Sequence, residues 1–542
     1  MAVSAASGAR PDVEAIPGHQ LALPGPAHEG GLSREISLAA IGTGGEGKPM
    51  MLALFLLLVA LLIWLPVAFG LLSRRPLTVL LIWLVVGPVI SNAIKWPGAN
   101  PFFWRGPESA QMQGSAYLTL PSNVTVKELL EPTRVVVFSF LVIIVAERIV
   151  RKRKQLSLDR TEKMMALFSG ILVCSSLFFS SRTIFGLRLT LDVFVVPFFG
   201  YYLARRFVTN EWNYRLLNRA FVYLGLLVLA ACTVERLVNQ GTFYRLKGPF
   251  MQSAQRGSSI LHIVVIVIFF AVLLDNITTR RDRAHRPAAK KEIRWLLLLA
   301  CPLLVLMTWS RGNWIGLILG LWVLLFLGRR LMRRSQRLAI AGLTMVILPL
   351  GAIGVLHLRS SQVMDQRVGN VANVLGRFAT WKAVASEGLE NPVLGIGLNN
   401  TRDVLAEVSG EQGVDAVYGT VHNSFLTLFT ELGMVGLLSY LAIVVSLAQS
   451  GYRLYRQGKG LRERWRGVTV IAILLAYLLP GVFANTLQMF GFGHLLVFVF
   501  LGGLVGATLH PENLAEPVSA FDRARKRRLM RTPARVGEVR FS

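Results

Sequence analysis

The sequence predicts an all-α polytopic integral membrane protein, with about 12–13 transmembrane helices and one large loop on the outer face. Three observations lead there. Of 542 residues, 53% are hydrophobic and only 16% are charged, against roughly a quarter charged in a soluble chain. The mean hydropathy is +0.52, and many segments approach or exceed the ~20 apolar residues that cross a ~30 Å hydrocarbon core. Backbone groups in lipid must be satisfied within their own segment, so apolar runs of this length are helices rather than barrel strands.

Taken in order, residues 1–48 are rich in Gly, Ala and Pro and carry no long apolar run. They read as a disordered N-terminal tail rather than a signal peptide. Hydropathy then places spans near 51–72, 76–95, 132–150, 163–181, 185–204, 215–236, 259–276, 294–309, 312–328 and 338–356. These ten helices fill 49–356, and the loop 357–421 follows. Three more spans near 422–448, 468–488 and 490–509 fill 422–509, and a basic tail occupies 510–542. Within the loop, 373–388 has a helical pattern and Asn391-Pro392-Val393-Leu394-Gly395-Ile396-Gly397 is rich in turn residues.

Charge orients the bundle. Basic blocks lie at Arg151 to Lys154 with Arg160, Arg280 to Arg294, Arg329 to Arg337, Arg453 to Arg466 and Arg523 to Arg540. They hold 31 of the 58 Lys and Arg and fall on every second connection, as cytoplasmic loops do. The net charge of +28 is therefore read as membrane orientation and not as nucleic-acid binding. Loops 96–131, 237–258 and 357–421 then face outward, and the tail after Pro511 faces the cytoplasm. An odd span count puts the N-terminal tail outside, which its three basic and five acidic residues allow. A miscounted span near 51–95 or 182–204 would put it inside.

Several chemistries find no support. Cys174, Cys232 and Cys301 lie inside apolar spans with no C-x-x-C pair, so neither a disulfide framework nor a zinc site is indicated. The Walker phosphate loop, the H-E-x-x-H zinc motif and the G-x-S-x-G nucleophile elbow are absent. The first outward loop has Glu108, Glu128 and Glu131 but no D-x-D or E-x-D pair. No internal repeat or matched pair of broken helices suggests a two-fold transporter.

The polar residues with chemical promise gather at outward-facing helix ends. His422, in Val421-His422-Asn423-Ser424, stands at the start of the eleventh span. A helix N-terminus disfavours imidazolium, so a neutral, base-competent ring is expected there; interfacial packing is the alternative. Asn423, Thr427 and Glu431 recur every four residues as a polar stripe. Glu431 lies roughly 13 Å deeper, either as a functional carboxylate or as a structural ion-pair member. Arg311, in Ser310-Arg311-Gly312, occupies a tight hairpin between two spans; its planar fork suits phosphate, with snorkelling to headgroups as the alternative. Arg377 and Trp381 are four apart on one helical face, as site residues or as a cation–π pair. Arg256, after Gly248-Pro249-Phe250, and Arg182, at the outer end of the fourth span, could each add charge for a diphosphate. Arg188 and Asp192 are spaced to pair with one another.

As an ordered set, Ser310-Arg311-Gly312, Gly376-Arg377 with Trp381, Asn391 to Gly397, and His422-Asn423 with Glu431-Leu432-Gly433 and Gly436 resemble the O-antigen ligase and O-antigen polymerase superfamily. The motif-bearing part is about residues 250–440; the rest matches only in hydropathy. The resemblance implies an inner-membrane enzyme with a large periplasmic loop and its active site facing the periplasm. It implies an undecaprenyl-diphosphate-linked glycan donor and a glycan or lipid A-core acceptor, among membrane lipid and polysaccharide-assembly partner proteins. Neither nucleotide sugar, cofactor nor metal is implied. His422 would be the general base, with Asn423, Glu431 and Trp381 in support. Arg311 and Arg377, with Arg256 and Arg182, would bind the diphosphate, and a single displacement would invert the anomeric centre. Ligase and polymerase both fit, with a slight lean to polymerisation. A transporter or flippase for the same lipid, or a non-catalytic part of an export machine, is the alternative reading.

Overall fold

The computed structural model describes residues 76–95, 133–140, 142, 158–238, 246, 248–250, 254–281, 287–308, 311–345, 371–405, 421–484 and 491–507. The N-terminal tail, the span expected near 51–72, the loop 96–131 and the tail 510–542 lie outside these residues.

Among the described residues the secondary structure is helical and there is no strand. Helix α1 is Pro76–Lys95, α2 covers 133–140, and α3 is Arg160–Phe178. Helix α4 runs through Thr183–Phe207 with a π-helical stretch at Thr190–Val195. Then come α5 (Glu211–Val238), α6 (Ala254–Arg281), α7 (Lys291–Met307), α8 (Arg311–Gly328) and α9 (334–345). Helix α10 (Val371–Glu390) lies in the long loop and covers the segment whose pattern is helical. Helix α11 is Ser424–Gln457, α12 is Leu461–Phe483 and α13 is Gly491–Gly506. Six of these, α3, α4, α5, α6, α11 and α12, are long and apolar enough to cross a membrane; Pro76–Ile90, Gly312–Gly328 and Gly491–Gly506 are shorter apolar helices.

Pattern explains position. Ile260–Thr279 of α6 has a mean hydropathy of 2.7 and is buried from Ile260 to Thr278, as expected of a helix apolar on every side. Helix α13 is buried from Gly493 to Gly506. It packs closely on α4 because small residues line the seam: a Cβ on Gly502 would lie 2.4 Å from the Tyr201 carbonyl oxygen. Helix α3 begins with a capping box, in which Asp159 accepts from the Glu162 N–H and Glu162 accepts from the Asp159 N–H.

The helix ends form two sets. At one end Arg205 and Arg206, closing α4, donate to Glu162 of α3 at 3.0 and 2.6 Å. There too Arg466 of α12 donates to Glu211 of α5 at 2.6 Å, and Arg294 of α7 stands 3.6 Å from Asp275 of α6. This is the basic end, where the described parts of the blocks around 160, 280–294 and 453–466 meet. Successive helices alternate between it and the opposite end, where α3 ends and α4, α8 and α11 begin.

Candidate functional site

The site is built around a break in α11. Gly433 has φ 62° and ψ −167°, a conformation inside the helix that only glycine adopts readily. In an unbroken helix the N–H groups of Met434 and Val435 would bond to the carbonyls of Thr430 and Glu431. Here the turn-rich segment 391–397 is inserted between them. Met434 N–H donates to the Pro392 carbonyl at 2.8 Å and Val435 N–H to that of Val393 at 3.2 Å. In return Ile396 N–H donates to the Thr430 carbonyl at 2.9 Å and Gly397 N–H to that of Glu431 at 3.0 Å. All four helix groups freed by the break are thus satisfied. The backbones approach so closely that a Cβ on Gly395 (φ +71°) would sit 2.5 Å from the Glu431 carbonyl carbon. This docking is the physical content of the Asn391 to Gly397 run and of Glu431-Leu432-Gly433.

The inserted segment is tied on both sides. Thr401 donates its hydroxyl to Glu431 Oε1 at 2.5 Å, and Glu431 is buried. Glu431 therefore helps hold the loop to α11. Leu398 N–H donates to Ser175 Oγ at 3.1 Å. Asn400 Nδ2 donates to the carbonyls of Phe179 (2.9 Å) and Ile396 (2.7 Å), while its Oδ1 accepts from Ser181. Arg182, also at this end, donates to Asp403 at 3.3 Å across a half-exposed contact.

His422 stands two residues before α11. Its φ is 51°, a left-handed conformation that is uncommon for a residue with a side chain. Three contacts hold the backbone around it. Trp381 of α10 donates Nε1–H to the Val421 carbonyl at 2.6 Å. Asn423 caps α11, accepting from the Phe425 and Leu426 N–H groups at 3.1 Å each. Ser424 donates its hydroxyl to the Ala484 carbonyl, just past α12, at 3.0 Å. Burial, and then the positive charge of Arg377, lower the His422 pKa from 6.5 to about 4. The ring is consequently neutral across ordinary pH.

Helix α10 supplies Arg377 and Trp381, placed on one face by their spacing of four. The cation–π alternative for this pair is not formed. Trp381 packs edge-on against Phe378 at 5.6 Å and joins Val384, Leu405, Val421 and Leu426 in a small apolar cluster. Arg377 keeps a buried Nε that takes no hydrogen bond, and among the described residues it makes no ion pair.

Arg311 is the first residue of α8, and Arg256 lies in the first turn of α6; the side chains of both lie outside the described residues. The α7–α8 hairpin is shaped by Thr308, whose hydroxyl donates to the Val305 carbonyl at 2.7 Å, and by Asn313, whose Nδ2 donates to Thr308 at 3.4 Å. Gly312 lies against Pro480 and Phe483 at the end of α12. The same end of α12 accepts the Ser424 hydroxyl, so the starts of α8 and α11 share one neighbour.

Sequence reasoning missed two features. Arg134 of α2 is buried and takes Asp192 in a two-pronged ion pair, with one contact at 2.6 Å. The expected Arg188 partner stands at 3.9 Å. A basic residue opening an apolar span was the available signal for Arg134. The Thr401–Glu431 contact had no sequence signal. Among the described residues no group of three His, Cys, Asp or Glu is arranged to hold a metal ion.

Residues 295–441 match the family model described as O-Antigen ligase. That stretch includes Arg311, Arg377, Trp381, the inserted segment, His422, Asn423 and Glu431, and excludes Arg182 and Arg256. A search of curated proteins finds no match.

Proposed function

From the match of residues 295–441 to the O-antigen ligase family model, we propose that the chain belongs to the O-antigen ligase and polymerase superfamily and transfers or polymerises glycan from undecaprenyl diphosphate at the periplasmic face of the inner membrane. The basic end of the bundle then faces the cytoplasm, and the end bearing His422 faces the periplasm. His422 takes the proton of the acceptor hydroxyl as that oxygen attacks the anomeric carbon. The bond from the anomeric carbon to the diphosphate oxygen breaks, and undecaprenyl diphosphate leaves with the electron pair. A single displacement of this kind inverts the anomeric centre. Arg377, with Arg311 and Arg256 at their helix starts, meets the charge that develops on the leaving group. Arg182, engaged by Asp403, is the outlying member and adds charge at the rim. Trp381, Asn423 and Glu431 act by holding the backbone that carries His422.

The observation that carries this reading is the pairing of a neutral imidazole with a buried guanidinium nitrogen that lacks an acceptor. A base needs the first and a departing diphosphate needs the second. The test uses purified protein in lipid nanodiscs with undecaprenyl-diphosphate-linked glycan, following carrier release by mass spectrometry. His422→Ala should lower release by about 10²–10⁴-fold, and Arg311→Ala and Arg377→Ala should also lower it. A folded His422→Ala protein that releases carrier at the wild-type rate refutes the assignment. In cells lacking the gene, accumulated single repeats indicate a polymerase and long unattached chains a ligase.

A further inference from the structure

We infer that the basic end of the bundle, opposite the transfer site, carries a binding site for an anionic phospholipid between α3, α11 and α12. A groove of about 580 Å³ is lined there by Val445, Ala448, Gln449, Tyr452 and Arg453 of α11 and by Ile471 of α12. The α11 positions follow the spacing of a single helix face. Val445 and Tyr452 are half exposed, and no described side chain covers them. From Val445 to Arg453 the groove extends about 12 Å along the axis, enough to seat the upper part of an acyl chain beneath a headgroup.

The rim supplies the charge. Arg160, the first residue of α3, reaches over α11 and donates Nη1–H to Gln449 Oε1 at 3.4 Å. The two helices are held together just below by the Thr161–Ser446 hydroxyl pair at 2.7 Å. Arg453 closes the groove, and Arg456 stands about one turn further along α11. All three arginines are exposed, and among the described residues none takes a carboxylate partner. Their neighbours differ: Arg205 and Arg206 are neutralised by Glu162, and Arg462 and Arg466 by Glu211. Three uncompensated guanidinium groups above an apolar groove fit a phosphate headgroup with its chain laid below, the arrangement by which basic pockets between transmembrane helices select anionic lipid. A zwitterionic lipid offers the same phosphate but brings an ammonium that the cluster repels. The site is independent of the transfer chemistry.

The experiment titrates the full-length protein in detergent with phosphatidylglycerol and with phosphatidylethanolamine of the same acyl chains, counting bound lipid by native mass spectrometry. The wild type should prefer phosphatidylglycerol. Each arginine near the headgroup is worth about fivefold in affinity, so Arg160→Gln/Arg453→Gln/Arg456→Gln should abolish the preference. Ala448→Trp, which fills the groove and leaves the charge unchanged, should lower it as well. Arg334→Gln/Arg337→Gln, which removes exposed charge from the same end outside the groove, should keep it. A preference that survives the triple substitution, or falls equally in the Arg334/Arg337 pair, overturns the assignment.

Discussion

Replacing Gly433 with Ala tests the inserted segment directly. The new Cβ would lie 2.1 Å from the Val393 carbonyl oxygen and 2.3 Å from its carbon, distances that backbone atoms do not tolerate. Holding a residue with a side chain in this conformation costs of order 1–3 kcal/mol. The alternative is for α11 to straighten and expel 391–397. Four main-chain hydrogen bonds are then lost and two are regained inside the helix, a net loss of about 2 kcal/mol. The protein takes whichever route costs less, so the loss is capped at about 2 kcal/mol. Thermal unfolding in detergent reads the loss. Thiol labelling of Leu398→Cys, with the native cysteines replaced, reads the expulsion, because Leu398 is fully buried. If Gly433→Ala unfolds at the wild-type temperature and residue 398 stays protected, the segment does not depend on the break and the reasoning fails.

Three further predictions concern the residues around His422. Trp381→Phe keeps the ring but removes the donor to Val421; turnover should fall ten- to a hundredfold, as for a small misplacement of a catalytic group, while KM for the donor holds. A fall in donor affinity alone would contradict that positioning role. Burial is the larger cause of the low His422 pKa and the Arg377 charge the smaller, so Arg377→Gln should raise it only part of the way back from about 4. The acid limb of the kcat/KM profile should move up with it, and an unmoved limb would count against the base assignment. The same linkage gives the wild type full stability above pH 6.5 and removes roughly 3 kcal/mol as pH falls through about 4, less in the Arg377→Gln protein. Thr401→Val takes a donor from the buried Glu431 at nearly constant volume, at about 1–3 kcal/mol. Hydrogen exchange over residues 395–405 should accelerate, and unchanged protection would show that the contact is dispensable.

The helices and their alternation are legible in the sequence because hydropathy and charge blocks are local. The helix 371–390 is legible for the same reason. What escapes is whatever depends on a distant partner. Gly395 and Gly397 read as turn glycines and Gly433 as part of a motif, but the reason for their left-handed backbones shows only when 391–397 and 430–435 are brought together. Spacing pairs Arg188 with Asp192 through one helical turn, yet Arg134, 58 residues away, takes the closer contact. Spacing also sets Arg377 and Trp381 on one face but is silent on their partners. Trp381 turns to a backbone carbonyl 40 residues further on, which leaves the guanidinium without the aromatic partner that spacing allowed. The left-handed backbone at His422 has only a weak residue-level signal, since histidine is enriched in that region but most histidines lie outside it.

That backbone conformation clarifies why the break lies where it does. Residues 424–432 form a piece of α11 about 13 Å long, separated from the remainder by Gly433. The hydrogen bonds that would run through 433 are made instead to 391–397, and Thr430 Oγ1 donates to the Val384 carbonyl of α10 at 2.9 Å. This upper piece is consequently attached to α10, the inserted segment and the end of α12 as firmly as to its own helix. His422 is held at its head by the same set of partners. A change in 391–397 can therefore reach the imidazole without touching it, through the carbonyls of Thr430 and Glu431. An unbroken α11 would instead tie the position of His422 to the tilt of a 34-residue rod whose far end sits among the arginines of the basic end. The break frees the site from that lever and places it under the control of the loop.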